Sequence, residues 1–208
     1  MPSPSIRLKF PTEMEIRFQE DYHEKTISTS RLAILLGALL IIAFGVLDKV
    51  TAPESYPVIW IIRFGIVAPT LALLLGLSFS QRLMRGAQWI ITMAVLASTV
   101  GITVMGAVTR PNEAAFSTYY VGVLLALMAG YTFVRLRFWY ATLVGLITLV
   151  VYQFMALGYQ GIMIVPMGRE IFFNNNFFLI SANLIGMFAC YFMERYARLD
   201  YPAVSDRR

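Results

Sequence analysis

Charge is what this sequence has least of. Only 14% of its 208 residues are Asp, Glu, Lys or Arg, while 58% are hydrophobic. Soluble domains carry about 25% charged residues, and a water-soluble fold has too little polar surface to cover so much apolar material. Cysteine and histidine are scarcer still, with one of each. The single Cys190 lies inside an apolar block, so no internal disulfide forms, and a cysteine–histidine metal cluster is not expected. The same scarcity argues against haem, and no cofactor is expected. The sequence has no Walker A loop, no G-x-S-x-G elbow, no H-E-x-x-H and no carboxylate pair deep in an apolar block, so it reads as non-enzymatic. Acidic residues at mid-depth and a filter signature are also missing, which weakens a pump or channel reading without removing it.

What is present is a mean hydropathy of +0.67 arranged in blocks. The blocks run about 17 to 23 residues, the length at which a helix rising 1.5 Å per residue crosses a hydrocarbon core of about 30 Å. Six spans result: 32–47, 58–79, 87–108, 116–134, 138–159 and 171–193. The expected fold class is all-α, an integral-membrane six-helix bundle. Residues 1–31 form a leader, 32–193 the membrane domain and 194–208 a tail, the leader and tail being too short to fold alone.

The net charge of +5 does not mark a nucleic-acid patch, because the basic residues are spread between the apolar blocks. Arg7, Lys9, Arg17, Lys25, Arg31, Arg82, Arg85, Arg135, Arg137, Arg195, Arg198, Arg207 and Arg208 fall on one side, thirteen against the three on the other, Lys49, Arg110 and Arg169. The positive-inside rule then puts both termini in the cytoplasm. Trp60, Trp89 and Trp139 fall near span ends, where indoles favour the interface. In the leader, Thr12-Glu13-Met14-Glu15 is a capping-box pattern, and Met14, Phe18 and Tyr22 recur every four residues. They predict a short amphipathic helix along the membrane surface, with a partly ordered leader as the alternative.

Small residues recur at four-residue spacing as Gly122, Ala126 and Gly130, and again as Ala182, Gly186 and Cys190. Such rows let membrane helices approach closely, within one bundle or between two copies. Asp48 and Arg63 are charges inside or at the edge of spans, and the ten residues from Asp48 to Pro57 allow the chain to return so that the two meet. The pair reads either as part of an outward-facing ligand pocket or as a staple of the first hairpin. Tyr119, Tyr120, Tyr152, Gln153, Tyr159 and the run Asn174-Asn175-Asn176 gather toward the same outer half, as a ligand vestibule or as an interfacial belt.

A resemblance then becomes visible. The leader ends Thr29-Ser30-Arg31 and the first span ends Phe44-Gly45-Val46-Leu47-Asp48. Ile62-Arg63-Phe64 follows with Pro69, then Tyr119-Tyr120-Val121-Gly122, Arg135-Leu136-Arg137-Phe138, Asn176-Phe177-Phe178-Leu179 and Tyr191-Phe192-Met193-Glu194-Arg195 with Arg198. Over residues 15–200 this resembles the six-span N-terminal membrane domain of bacterial membrane-bound class III adenylate cyclases and of related diguanylate cyclases and sensor kinases. The resemblance implies a bacterial inner-membrane anchor and receptor that forms a homodimer and drives a cytoplasmic output domain. On it, Asp48 and Arg63 are an outer pair, Arg135 and Arg137 an inner-turn anchor, and Glu194, Arg195 and Arg198 the start of the output helix. The sequence departs from that pattern at Pro202, which interrupts the helix, and at Arg208, after which no cyclase domain follows. The chain is therefore expected to be either a piece of a longer receptor or a free-standing relative with a separate output protein. The expected ligand is lipid-like or small and apolar. A small transporter or channel and a passive assembly subunit are the competing readings.

Overall fold

A computed structural model describes residues 10–80 and 87–205. Among them there are helices and no strands, and six stretches are long and apolar enough to cross a membrane, the architecture of a multi-pass membrane protein. Arg82, Arg85 and the basic residues at the two extremities lie outside the described residues.

The first helix, α1 (Thr12–Thr51), is 40 residues long. No proline falls between Pro11 and Pro53, so the backbone ladder runs unbroken from the charged leader into the first apolar block. The leader is therefore not a separate surface helix. Its expected capping box does not form either, because Pro11 is the N-cap and no side chain caps the helix. The Glu15 carboxylate instead accepts the Phe10 N–H at 2.9 Å and turns toward the other end of the chain.

α2 (Tyr56–Leu77) contains a π turn at Arg63–Val67. Pro69 follows closely, and its missing N–H is one cause that breaks a regular ladder. α3 (Ala87–Ala107) is the central helix. It is the most buried of the six apolar stretches. Small residues bring its neighbours close: a Cβ added at Gly101 would come within 2.4 Å of Val67, and one at Gly130 within 2.6 Å of Val95. The hydroxyls of Thr92, Ser98, Thr99 and Thr103 donate to carbonyls in their own helix, so none is left unsatisfied in lipid.

α4 (Ala114–Thr132) breaks at Tyr119, and α5 (Phe138–Tyr159) ends in a π segment, Phe154–Tyr159. A short 3-10 turn, Ile162–Ile164, leads to α6 (Gly168–Ser205). The Tyr131 hydroxyl on α4 donates to Asn183 Oδ1 on α6 at 2.9 Å. Glycine makes room for it, since a Cβ at Gly145 would lie 2.1 Å from that hydroxyl and one at Gly186 2.2 Å from the ring. Each small-residue row thus has one glycine, Gly130 or Gly186, packed closely within the chain.

α6 also corrects an expectation. It passes through Pro202 to Ser205. A proline so near the C-terminal end removes one donor where the ladder is ending anyway, so the helix is not interrupted there.

Candidate functional site

A cavity of about 360 Å³ separates α1 from α4. Its floor is formed by α3, through Ala94, Val95 and Ser98, and by Leu71 of α2. Its sides carry Gly37, Ile41 and Phe44 on α1 and Gly122, Ala126 and Gly130 on α4. The exposed Leu40, Phe44, Val121 and Leu125 form its rims, so it opens sideways out of the bundle. One end is closed by Ser30, whose hydroxyl donates to the Val134 carbonyl at 2.8 Å. The other end is closed by Asp48, Arg63 and Tyr119.

These three side chains form a buried polar cap. Arg63 Nε donates to Asp48 Oδ2 at 2.8 Å, and Nη2 donates to Asp48 Oδ1 at 2.9 Å and to Tyr119 Oη at 2.7 Å. Nη1 donates to the Ile41 carbonyl at 2.7 Å, and Tyr119 donates its own proton to Asp48 Oδ1 at 2.7 Å. The π turn begins at Arg63, and the break in α4 falls at Tyr119. Both irregularities in backbone geometry therefore sit at this cap, where π turns are often found when a site has to be shaped.

The tyrosines and asparagines expected to form a vestibule are brought together only in part, and Tyr119 also lines the larger cavity. Tyr119, Tyr120, Tyr152 and Asn175 line a cavity of only about 30 Å³. That is the space of a water molecule and too small for a ligand. The amides close the region by pairing with each other and with their neighbours: Asn174 donates to Tyr120 Oη at 3.3 Å, Gln153 donates to Asn176, and Asn176 donates to the Phe172 carbonyl at 2.8 Å. Tyr152 stacks on Phe172 with the rings 14° apart.

At the opposite end of the bundle lies an ionic clasp. Arg198 of α6 donates to both oxygens of Glu15, at 2.7 and 3.0 Å, and to Glu194 at 2.8 Å. Arg137, in the α4–α5 turn, lies 3.2 Å from Glu15 and 3.7 Å from Glu194. Glu194 also accepts the Phe138 N–H at 2.7 Å. Phe10 and Phe18 cover the Arg198 guanidinium, its carbon lying 4.4 Å from the Phe18 ring centre. Burial alone would push the Glu15 carboxyl up, but the hydrogen bonds from Arg198, the Phe10 N–H and Gln19 outweigh it and hold the group down at about 2. Burial pushes the Tyr22 hydroxyl up to about 12, and that hydroxyl donates to the Arg135 carbonyl at 3.3 Å. Arg135 itself adopts a left-handed backbone, with φ 53°, in the α4–α5 turn. Among the described residues no ion pair joins Arg195 to the clasp.

Sequence reasoning missed the roles of Glu15 and Glu113. Glu113 accepts the N–H groups of Glu54 and Ser55 at 2.7 and 2.9 Å and that of Arg110 at 2.8 Å, tying the α1–α2 loop to the α3–α4 loop. Burial pushes its carboxyl up, but these donors and the Ser55 hydroxyl prevail and keep it below the usual carboxylate range. The visible signal was its place: an acidic residue just ahead of the apolar block that becomes α4.

Among the described residues no group of three or more Cys, His, Asp and Glu side chains is placed to hold a metal ion. The buried Cys190 thiol donates to the Leu136 carbonyl at 3.3 Å. No protein-family model and no curated protein matches the chain.

Proposed function

We propose that this chain is a membrane sensory domain that takes up a lipid-like ligand sideways from the bilayer and passes the signal to the cytoplasmic end of α6. The observation that carries the reading is one of connection. α1 forms one wall of the cavity, and its leader is clasped through Glu15 to Arg198 at the end of α6. A ligand that spreads α1 from α4 therefore pulls on α6 without touching it. Helix shifts of about 1–2 Å are enough for such coupling. The ligand must bind the spread state better, because only differential affinity moves the equilibrium.

On this reading the clasp end is cytoplasmic, supported by the basic residues on that side, and the membrane is a bacterial inner membrane. The output is a cyclase- or kinase-type domain or a separate protein, which rests on the resemblance alone. A homodimer belongs to this reading on the resemblance alone.

The test places spin labels at Arg135→Cys and Leu199→Cys, both exposed positions, in the full chain reconstituted into phosphatidylcholine vesicles. Saturating 1-hexadecanol is expected to shift the distance distribution between them. An unchanged distribution with the probe bound overturns the sensory reading. Chain-dependent solute leakage from the same vesicles favours transport instead.

A further inference from the structure

The polar groups of the α1–α4 cavity are almost fully engaged before any ligand arrives. A guanidinium has five N–H hydrogens. In Arg63 one goes from Nε to Asp48, two from Nη2 to Asp48 and Tyr119, and one from Nη1 to the Ile41 carbonyl. A single Nη1 hydrogen remains. The hydroxyls of Thr51, Ser98 and Thr118, which also line the cavity, donate to the Leu47, Ala94 and Ala114 carbonyls at 3.0, 2.9 and 3.0 Å. Each keeps lone pairs and has no proton left to give.

This inventory has a sign and a polarity. The one carboxylate and the one guanidinium cancel, so a head group bearing a full charge enters a low-dielectric site with no counter-ion. A carboxylate or sulfate can only accept hydrogen bonds, and a single donor is left for it. A quaternary ammonium has nothing to donate and adds a positive charge beside Arg63. A hydroxyl suits the site on both counts, accepting from Arg63 Nη1 and donating to a threonine or serine oxygen. The shape is equally selective. From Tyr119 to Val134 the cavity follows α4 for about 22 Å at 1.5 Å per residue. A volume of about 360 Å³ is at the small end of ligand sites, which span about 300–1,000 Å³. That form fits one extended chain.

We infer that the cavity selects a single-chain amphiphile with an uncharged, hydroxyl-bearing head and discriminates against ionised amphiphiles of the same chain length. This rests on the reading of the cavity as a ligand site, and the experiment separates the two. Gly37 supplies the key variant: a Cβ there would meet nothing within 4 Å, and leucine is the better helix former, so Gly37→Leu fills the cavity without disturbing the fold. Ala126→Leu fills it from the α4 side.

The full chain in phosphatidylcholine nanodiscs is titrated with tritiated 1-hexadecanol. Unlabelled hexadecanol, hexadecyl sulfate and hexadecyltrimethylammonium serve as competitors. Saturable binding of one probe per chain is expected, weakened at least ten-fold in each filling variant. The two ionic competitors are expected to need at least ten-fold higher concentration than hexadecanol. If hexadecyl sulfate or the ammonium competes as well as hexadecanol, the head-group inference fails while the ligand site stands. If no probe binds saturably, or if Gly37→Leu leaves hexadecanol binding unchanged, the cavity is not a ligand site and both fall. Self-cross-linking of Gly37→Cys with no probe bound also overturns both, because it shows a second copy of the chain in the groove.

Discussion

Glu15 and Arg198 lie 183 positions apart in the chain and face each other in a two-pronged hydrogen bond, Nη1 to Oε2 at 2.7 Å and Nη2 to Oε1 at 3.0 Å. The contact fixes the start of α1 to the end of α6, and with Arg137 and Glu194 it makes a four-membered group of zero net charge. Such bidentate pairs are among the stronger hydrogen bonds in proteins and hold geometry as well as energy.

The pH response follows from this pair. The Glu15 carboxyl is lowered from 4.5 to about 2, so its stabilising contribution is complete above about pH 4.5 and is lost as the pH falls toward 2. Unfolding midpoints in denaturant are expected to drop between pH 5 and pH 3 in the native chain. Glu15→Gln should lower stability by roughly 1–3 kcal/mol at pH 6 and flatten that pH dependence. A native-like slope in Glu15→Gln would mean that another carboxyl is responsible.

The cap of the cavity gives a sharper contrast. Arg63→Ala leaves Asp48 buried without its counter-charge and is expected to cost about 3–5 kcal/mol. Replacing both, as Asp48→Leu with Arg63→Met, removes the charges together and should recover most of that loss. The double-mutant cycle, read by reversible unfolding in mixed micelles, checks it.

Tyr131→Phe removes the donor to Asn183 Oδ1 and leaves that oxygen unpaired among buried helices. A loss of about 1–3 kcal/mol is expected in the same unfolding assay. Gly186→Val is expected to be worse, because its Cβ alone would fall 2.2 Å from the Tyr131 ring and force α6 off α4. Expression as an aggregated chain, or a thermal midpoint well below that of Tyr131→Phe, is the expected readout.

How much of this was readable beforehand depended on the kind of signal. The six spans were, because each is a continuous apolar block whose length matches a bilayer. Their ends were not: the helical ladder of α1 ignores the polarity change that ends the apolar block, so it reaches back to Thr12 while hydropathy starts at Leu32. The meeting of Asp48 with Arg63 was readable because an ion in an apolar span needs a partner nearby in sequence. Tyr119 looked like any interfacial tyrosine, and only the break in α4 turns it into the third member. Glu15 was hidden by distance along the chain, since nothing local points to Arg198. The cavity itself was hidden for a different reason: it is made where α1 and α4 fail to touch, and no residue type encodes a gap.

The π turn at Arg63–Val67 carries one more residue than a regular turn of the same height. Each residue rotates a helix by about 100°, so that extra residue acts as an indexing pin that sets the azimuth of α2 on either side of it. A regular α-helix through the same residues would add that rotation between the two halves of α2 and swing one against the other by roughly that angle. Arg63 and Leu71 would then no longer both face the cavity, although every apolar residue of the span would still suit the bilayer.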